Sequence, residues 1–244
     1  ESERFVANFI QENNYDIQFT LVSEAGASVY SASELARKEY PDLTVEKRSA
    51  ISIARRLMDP LCELIKIDPE SIGVGQYQHD LPNKQLKERL GFVVEKAVNL
   101  VGVNINTATV ELLKNVSGLS ANSAQSIVNY REQNGKIKNR KEILSIPKIG
   151  AKSYEQAAGF LRIIDSNEPL DKTSIHPESY ELTYQIMKYL DVTNNDIGTN
   201  KMKEARYILG YISKTVGFTQ PTVYDFDEEQ QFLFESILFS GFSL

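Results

Sequence analysis

The stretch 113–123 recurs at 143–153, a period of 30 residues: Leu113 answers Ile143, Val116 answers Ile146, Leu119 answers Ile149, Ser120 answers Gly150 and Ser123 answers Ser153. Repetition at a fixed spacing marks a duplicated supersecondary unit, and it limits the middle of the chain to two copies of one small motif packed on each other. Each copy reads helix, tight turn, helix. The first runs 108–116, Ser117-Gly-Leu-Ser120 and 121–130; the second runs 140–146, Pro147-Lys-Ile-Gly150 and 151–160. Two helical hairpins packed face to face are expected.

The repeated turn suggests a chemistry. Its central apolar residue, Leu119 or Ile149, is placed to plug the two helices together. The small residue after it, Ser120 or Gly150, is expected to allow positive φ and close approach of another backbone. The turn's amides stand at the start of the second helix, where unpaired N–H groups and the positive end of the helix dipole favour an anion. A phosphodiester oxygen suits that place without any contact to a base, so binding is expected to be independent of sequence. The candidate contacts are Gly118, Leu119, Ser120, Asn122 and Ser123 at the first hairpin, and Lys148, Ile149, Gly150, Lys152 and Ser153 at the second. The second is expected to dominate, because it has Gly150 and two lysines, and Gly118→Val is expected to matter less than charge reversal at Lys148 and Lys152.

Charge supports this once it is counted by segment. The whole chain is at −6, but residues 81–165 carry 13 bases and 7 acids, while 1–80 carry 8 bases and 14 acids and 166–244 carry 6 bases and 12 acids. A basic module at +6 thus lies between two acidic ones at −6 each, and screening beyond about 10 Å lets it attract phosphate locally. Hydrophobic residues at 41% and charged residues at 25% fit a globular chain. The absence of a long uncharged apolar run removes a membrane-spanning reading, and a cytoplasmic location is expected. The chain opens on Glu1 and not on Met, as expected of a segment whose start lies upstream.

Several other chemistries drop out. The lone cysteine, Cys62, cannot form an internal disulfide or a cysteine zinc site, and it lies among Leu57, Leu61 and Leu64 as a small buried residue would. His79 and His176 are far apart in sequence and lack metal-ligand spacing. Gly73-Val-Gly75 is not followed by a glycine at 78, so it is not read as a dinucleotide loop. No cofactor and no metal is expected.

The flanks read coarsely. Helices are expected at 3–13, at a short segment after Ser31-Ala-Ser33, along 45–64 with a break at Pro60, and at 83–102; short strands are expected near 17–22 and 72–77. On the 45–64 helix the apolar face is Ala50, Ile53, Leu57, Leu61 and Leu64, and Lys47, Arg48, Arg55 and Arg56 are read as a solvated face. The tail holds five of the eleven phenylalanines, at 226, 232, 234, 239 and 242, read as core, with a partner-binding stripe as the alternative.

The repeat resembles a tandem helix-hairpin-helix domain, and Val103-Asn-Ile-Asn-Thr-Ala-Thr109 with Val128-Asn-Tyr-Arg-Glu-Gln-Asn-Gly135 is also similar to ComEA-type competence DNA receptors. Outside it, Glu24-Ala-Gly-Ala-Ser-Val-Tyr-Ser-Ala-Ser33, Ser71-Ile-Gly-Val-Gly-Gln-Tyr-Gln-His-Asp80, Pro169-Leu-Asp171 and His176-Pro-Glu-Ser-Tyr180 resemble the bacterial Tex family of transcription accessory proteins, as does Gly217-Phe-Thr-Gln-Pro-Thr-Val-Tyr-Asp225. That resemblance implies a mostly α chain in three parts. Residues 1–80 would be the C-terminal part of a YqgF or ribonuclease-H-like α/β domain, 81–165 the all-α tandem helix-hairpin-helix domain, and 166–244 a further helical segment before an OB-type RNA-binding domain. It implies RNA or DNA as ligand and the transcription machinery as partner.

The same resemblance raises an enzyme alternative, a metal-dependent nuclease with Glu24 at a strand end as one metal-holding carboxylate. Lys47 and Arg48 stand where the last acid of active relatives is expected, and cations there would repel metal, so no catalytic residue is assigned. A pure protein-interaction scaffold is the third reading, separated from the others by the absence of nucleic-acid binding at low salt.

Overall fold

The computed structural model describes residues 2–73, 75–189, 191–197 and 199, so the phenylalanine-rich tail and the 217–225 string lie outside the described residues. The chain divides into two compact units, Glu1–Leu90 and Gly91–Leu244. As expected, it is mostly helical.

In the first unit, helix α1 (Ser2–Glu12) is followed by an extended segment, α2 (Ala27–Ala32), α3 (Glu34–Glu39), α4 (Val45–Met58) and α5 (Pro60–Leu64). Asp59 ends α4 and caps α5 by accepting from the Cys62 amide at 3.0 Å, with Pro60 at the first helical position, where its missing N–H is harmless. The break at Pro60 is thus a cap between two helices. Cys62 is buried as expected, although Leu57 and Leu64, among which it was read, are exposed.

Two expectations fail in this unit. Neither 17–22 nor 72–77 is a strand: residues 16–22 have no regular structure, and the second stretch opens on a 3₁₀ turn, Pro69–Ile72. Alternation of apolar residues makes a strand only where a neighbour takes its backbone hydrogen bonds, and none does among the described residues. The bases of α4 also do not form a solvated face. Arg48, Ser52 and Arg56, one turn apart, are the buried stripe, while Leu57, Met58 and Leu64 are exposed. Arg48 donates to the Tyr40 and Pro41 carbonyls at the end of α3, at 2.9 and 3.3 Å, and Arg56 to those of Ser23 and Ala25, at 2.6 and 2.9 Å. These carbonyls lie beyond the end of α3 and in the segment before α2, outside any helical ladder.

Beside them lies a buried ionic cluster. Lys66 pairs with Glu39 and Glu63 at 2.9 Å each, Arg55 joins Glu63 at 3.1 Å, and the Tyr30 hydroxyl donates to Glu39. Burial pulls the Lys66 ammonium down, but the two carboxylates more than offset this and leave it above the ordinary lysine value.

Helix α6 (Asn83–Val101) crosses the division between the units and leads into β1 (Val103–Asn104). Next come α7 (Val110–Leu113), α8 (Ala121–Asn134), a 3₁₀ helix Arg140–Ser145, α9 (Ala151–Ala157), β2 (Leu161–Arg162) and, after 3₁₀ turns, α10 (Tyr180–Tyr189). The two strands are the only ones among the described residues. They pair in parallel, Val103 with Leu161 and Asn104 with Arg162, closing the entry of the first hairpin on the exit of the second.

The repeat supplies the core of this second unit. Leu113, Val116, Ile143 and Ile146 are each at most 2% exposed and Ile149 is buried, whereas Leu119 is only half-buried. Each fully buried aliphatic side chain contributes about 1.5–3 kcal/mol. The Asn106 amide bridges to the main chain of Ile137 in both directions, at 2.9 Å each, pinning the link between the hairpins.

Candidate nucleic-acid interface

The two turns share one backbone design. Leu119 N–H donates to Val116 O at 3.1 Å and Ile149 N–H to Ile146 O at 3.2 Å, closing equivalent four-residue turns. The positive φ that such a turn needs falls on its third residue, Gly118 at 84° and Lys148 at 67°, as in a type II turn. Ser120 and Gly150 are instead extended helix caps, with φ and ψ of −100° and 167° and of −87° and 171°. This corrects the expected role of Ser120 and Gly150: the permissive position lies two residues earlier, because the cap must be extended for its carbonyl to start the next helix.

The caps differ in chemistry. At the first hairpin Ser120 N–H donates to Ser123 Oγ at 2.7 Å and Ser123 N–H to Ser120 Oγ at 3.2 Å, so two amides at the start of α8 are already paired. Ser123 is buried and occupied by this box and does not face outward. Ser120 and Asn122 are exposed.

At the second hairpin Gly150 has no side chain to cap α9, and the amides of Gly150, Ala151, Lys152 and Ser153 have no hydrogen-bond partner among the described residues. Lys148, Gly150 and Lys152 are exposed around them, with Ser153 half-buried and Ile149 holding the turn from beneath. Four amides left open among the described residues, with the exposed ammonium groups of Lys148 and Lys152 beside them, suit a singly or doubly charged oxyanion.

The two sets of candidate residues meet. A Cβ on Gly118 would stand 2.6 Å from Gln156 Cβ, 3.0 Å from Ser153 O and 3.2 Å from Ala157 N, so the first turn lies directly on α9. Gly118 is a packing position, and its substitution by valine strains the fold as well as acting on the binding for which a smaller effect is expected.

The basic surplus is redistributed by the fold. Arg140 is 1% exposed and donates to the carbonyls of Leu161 at 2.9 Å, Thr173 at 2.6 Å and Ile175, and to Tyr180 Oη at 2.7 Å, while its amide reaches Asp171 Oδ2 at 3.0 Å. It ties residues 161–180 to the second hairpin and offers nothing to a ligand. Arg162 lies against Gly102, and burial, then the nearby Arg140 charge, pulls it down to about 10. Lys136 pairs with Asp165 at 2.6 Å on the surface. Lys138 and Lys141, exposed in the second hairpin, join Lys148 and Lys152.

Three family models match the chain in order: a Tex protein YqgF-like domain over residues 1–58, a helix-hairpin-helix motif over 98–162, and an HHH domain over 168–229. The uncharacterized protein YdcI of Bacillus subtilis is 53% identical over 231 residues, covering 94% of this chain and 32% of the relative. The transcriptional accessory protein Tex of Neisseria gonorrhoeae is 54% identical over 181 residues, 74% of this chain and 24% of its own length. The S1 RNA-binding domain-containing protein 1 of Homo sapiens is 37% identical, with 84% of this chain and 26% of that protein covered. The chain therefore spans about a quarter to a third of the relatives it matches. Among the described residues no helix is long and apolar enough to cross a membrane.

Proposed function

The chain belongs to the Tex family of transcription accessory proteins, and on that premise we propose that it grips the phosphate backbone of nucleic acid, without reading its sequence and without cleaving it. The observation that carries this reading is the uncapped start of α9, where the open amides of Gly150 to Ser153 stand beside Lys148 and Lys152. Phosphate is common to RNA and DNA, so the grip takes either; the human relative, named for its S1 RNA-binding domain, favours RNA within the longer protein. In that setting the chain's role is to hold nucleic acid for the transcription machinery.

Glu24 supports a scaffold over a nuclease. The Arg56 guanidinium is bonded to the carbonyls on either side of it, at Ser23 and Ala25.

Titration of labelled random-sequence RNA and DNA, single- and double-stranded, over a range of salt tests the proposal. Contact with about two to four phosphates gives a log–log salt slope near 2 to 4. Lys148→Glu with Lys152→Glu should weaken every ligand alike, by about tenfold at low salt, and lower the slope by about two. Undiminished binding by the double variant would move the contacts elsewhere. Cleavage with Mg²⁺ or Mn²⁺ that Glu24→Gln abolishes would replace the scaffold with a nuclease.

A further inference from the structure

We propose that Glu95, on α6, keeps phosphate out of the first hairpin, so that the tandem pair grips one backbone through the second hairpin and uses the first as its buttress; this rests on the phosphate-binding reading above. The first turn is fastened to α6 by a side-chain clamp. Asn99 donates from Nδ2 to Ser117 Oγ at 2.8 Å and accepts the Ser117 amide on Oδ1 at 3.1 Å, and Ser117 Oγ in turn donates to Glu95 Oε1 at 2.7 Å. Glu95 and Asn99 are four residues apart and so share one face of the helix.

The clamp brings a full negative charge to the residue before Gly118, within one turn of the place where the motif would receive a phosphate. The capping box of Ser120 and Ser123 already occupies two of the amides there, and no lysine stands at the positions matching Lys148 and Lys152, which are Gly118 and Asn122. At the second hairpin the residue matching Ser117 is Pro147, which has neither hydroxyl nor amide hydrogen, so no acid can be fastened to it in this way. Asn99 is thus a positioning residue for the first turn, and Glu95 sets which of two similar turns accepts an anion.

The test is a low-salt titration of the 244-residue chain with a fluorescein-labelled random-sequence DNA duplex. Glu95→Gln keeps an acceptor for Ser117 and removes only the charge, and it should bind roughly three- to tenfold tighter, the order expected for like charges several Å apart near a surface. The gain should vanish at high salt, where a loss of packing would persist. Glu95→Asp keeps the charge on a shorter arm and should not tighten binding. A Gln variant that binds like the parent, or an Asp variant that tightens as much as Gln, overturns the proposal. The Lys148→Glu, Lys152→Glu variant separates the two ideas: if it weakens binding while Glu95→Gln does nothing, only the role of Glu95 falls, and if neither changes binding the hairpin reading falls with it.

Discussion

The two hairpins fold to the same turn and solve its two local problems in opposite ways. The first gives the positive-φ position to Gly118, where glycine costs nothing, and the cap to Ser120, which closes a box with Ser123. The second gives the positive-φ position to Lys148, a conformation that costs a side-chain-bearing residue about 1 kcal/mol or more, and the cap to Gly150, which has no side chain to pair with the helix amides. The first copy pairs two of its helix-start amides within itself. The other keeps strain and open amides in the place where a ligand could relieve them. A duplicated motif can thus divide its labour without changing its backbone: the satisfied copy carries packing, and the unsatisfied one is left for binding.

The sharpest way to break this comparison is Gly118→Val. A β-branched residue at φ 84°, with its Cβ 2.6 Å from Gln156 Cβ, combines backbone strain and overpacking and should cost about 3–5 kcal/mol, seen as a large drop in the denaturation midpoint. A midpoint close to the parent's would mean that the first turn does not rest on α9.

A smaller change of opposite sign should follow from Lys148→Gly, which relieves the left-handed strain and should stabilise the chain by about 1 kcal/mol while weakening nucleic-acid binding. The finest change is Gly150→Ser. The backbone there is extended and nothing lies within 4 Å of the added Cβ, so serine can form with Ser153 the box that Ser120 forms with Ser123. The gain in stability should be only a few tenths of a kcal/mol. Binding should nevertheless fall severalfold, because the box takes amides from the ligand. Unchanged affinity in that variant would erase the functional difference between the hairpins.

Much of this was legible beforehand. The period of 30 residues, with the apolar identities at 113/143, 116/146 and 119/149, placed both hairpins and most of their core, because burial on a helix follows spacing that the sequence displays. The local choices of glycine, serine, lysine and proline at the turns also stood in the sequence. Their conformations were misassigned by two residues, since a tight turn and a helix cap both favour small residues and only the backbone path separates them.

What tertiary structure alone decided is where charge goes. Thirteen bases in residues 81–165 are equivalent in a count, yet Arg140 is consumed by carbonyls of residues 161–175 and Arg162 lies against Gly102, which takes both out of the surface surplus. On α4 the pattern misled outright, turning Arg48 and Arg56 inward and Leu57 outward. Apolar periodicity predicts burial through area, which each residue carries with it. A buried guanidinium is fixed by carbonyls that other segments leave unpaired, and the chain between Arg56 and Ser23, or between Arg140 and Ile175, holds no local sign of where those carbonyls will stand.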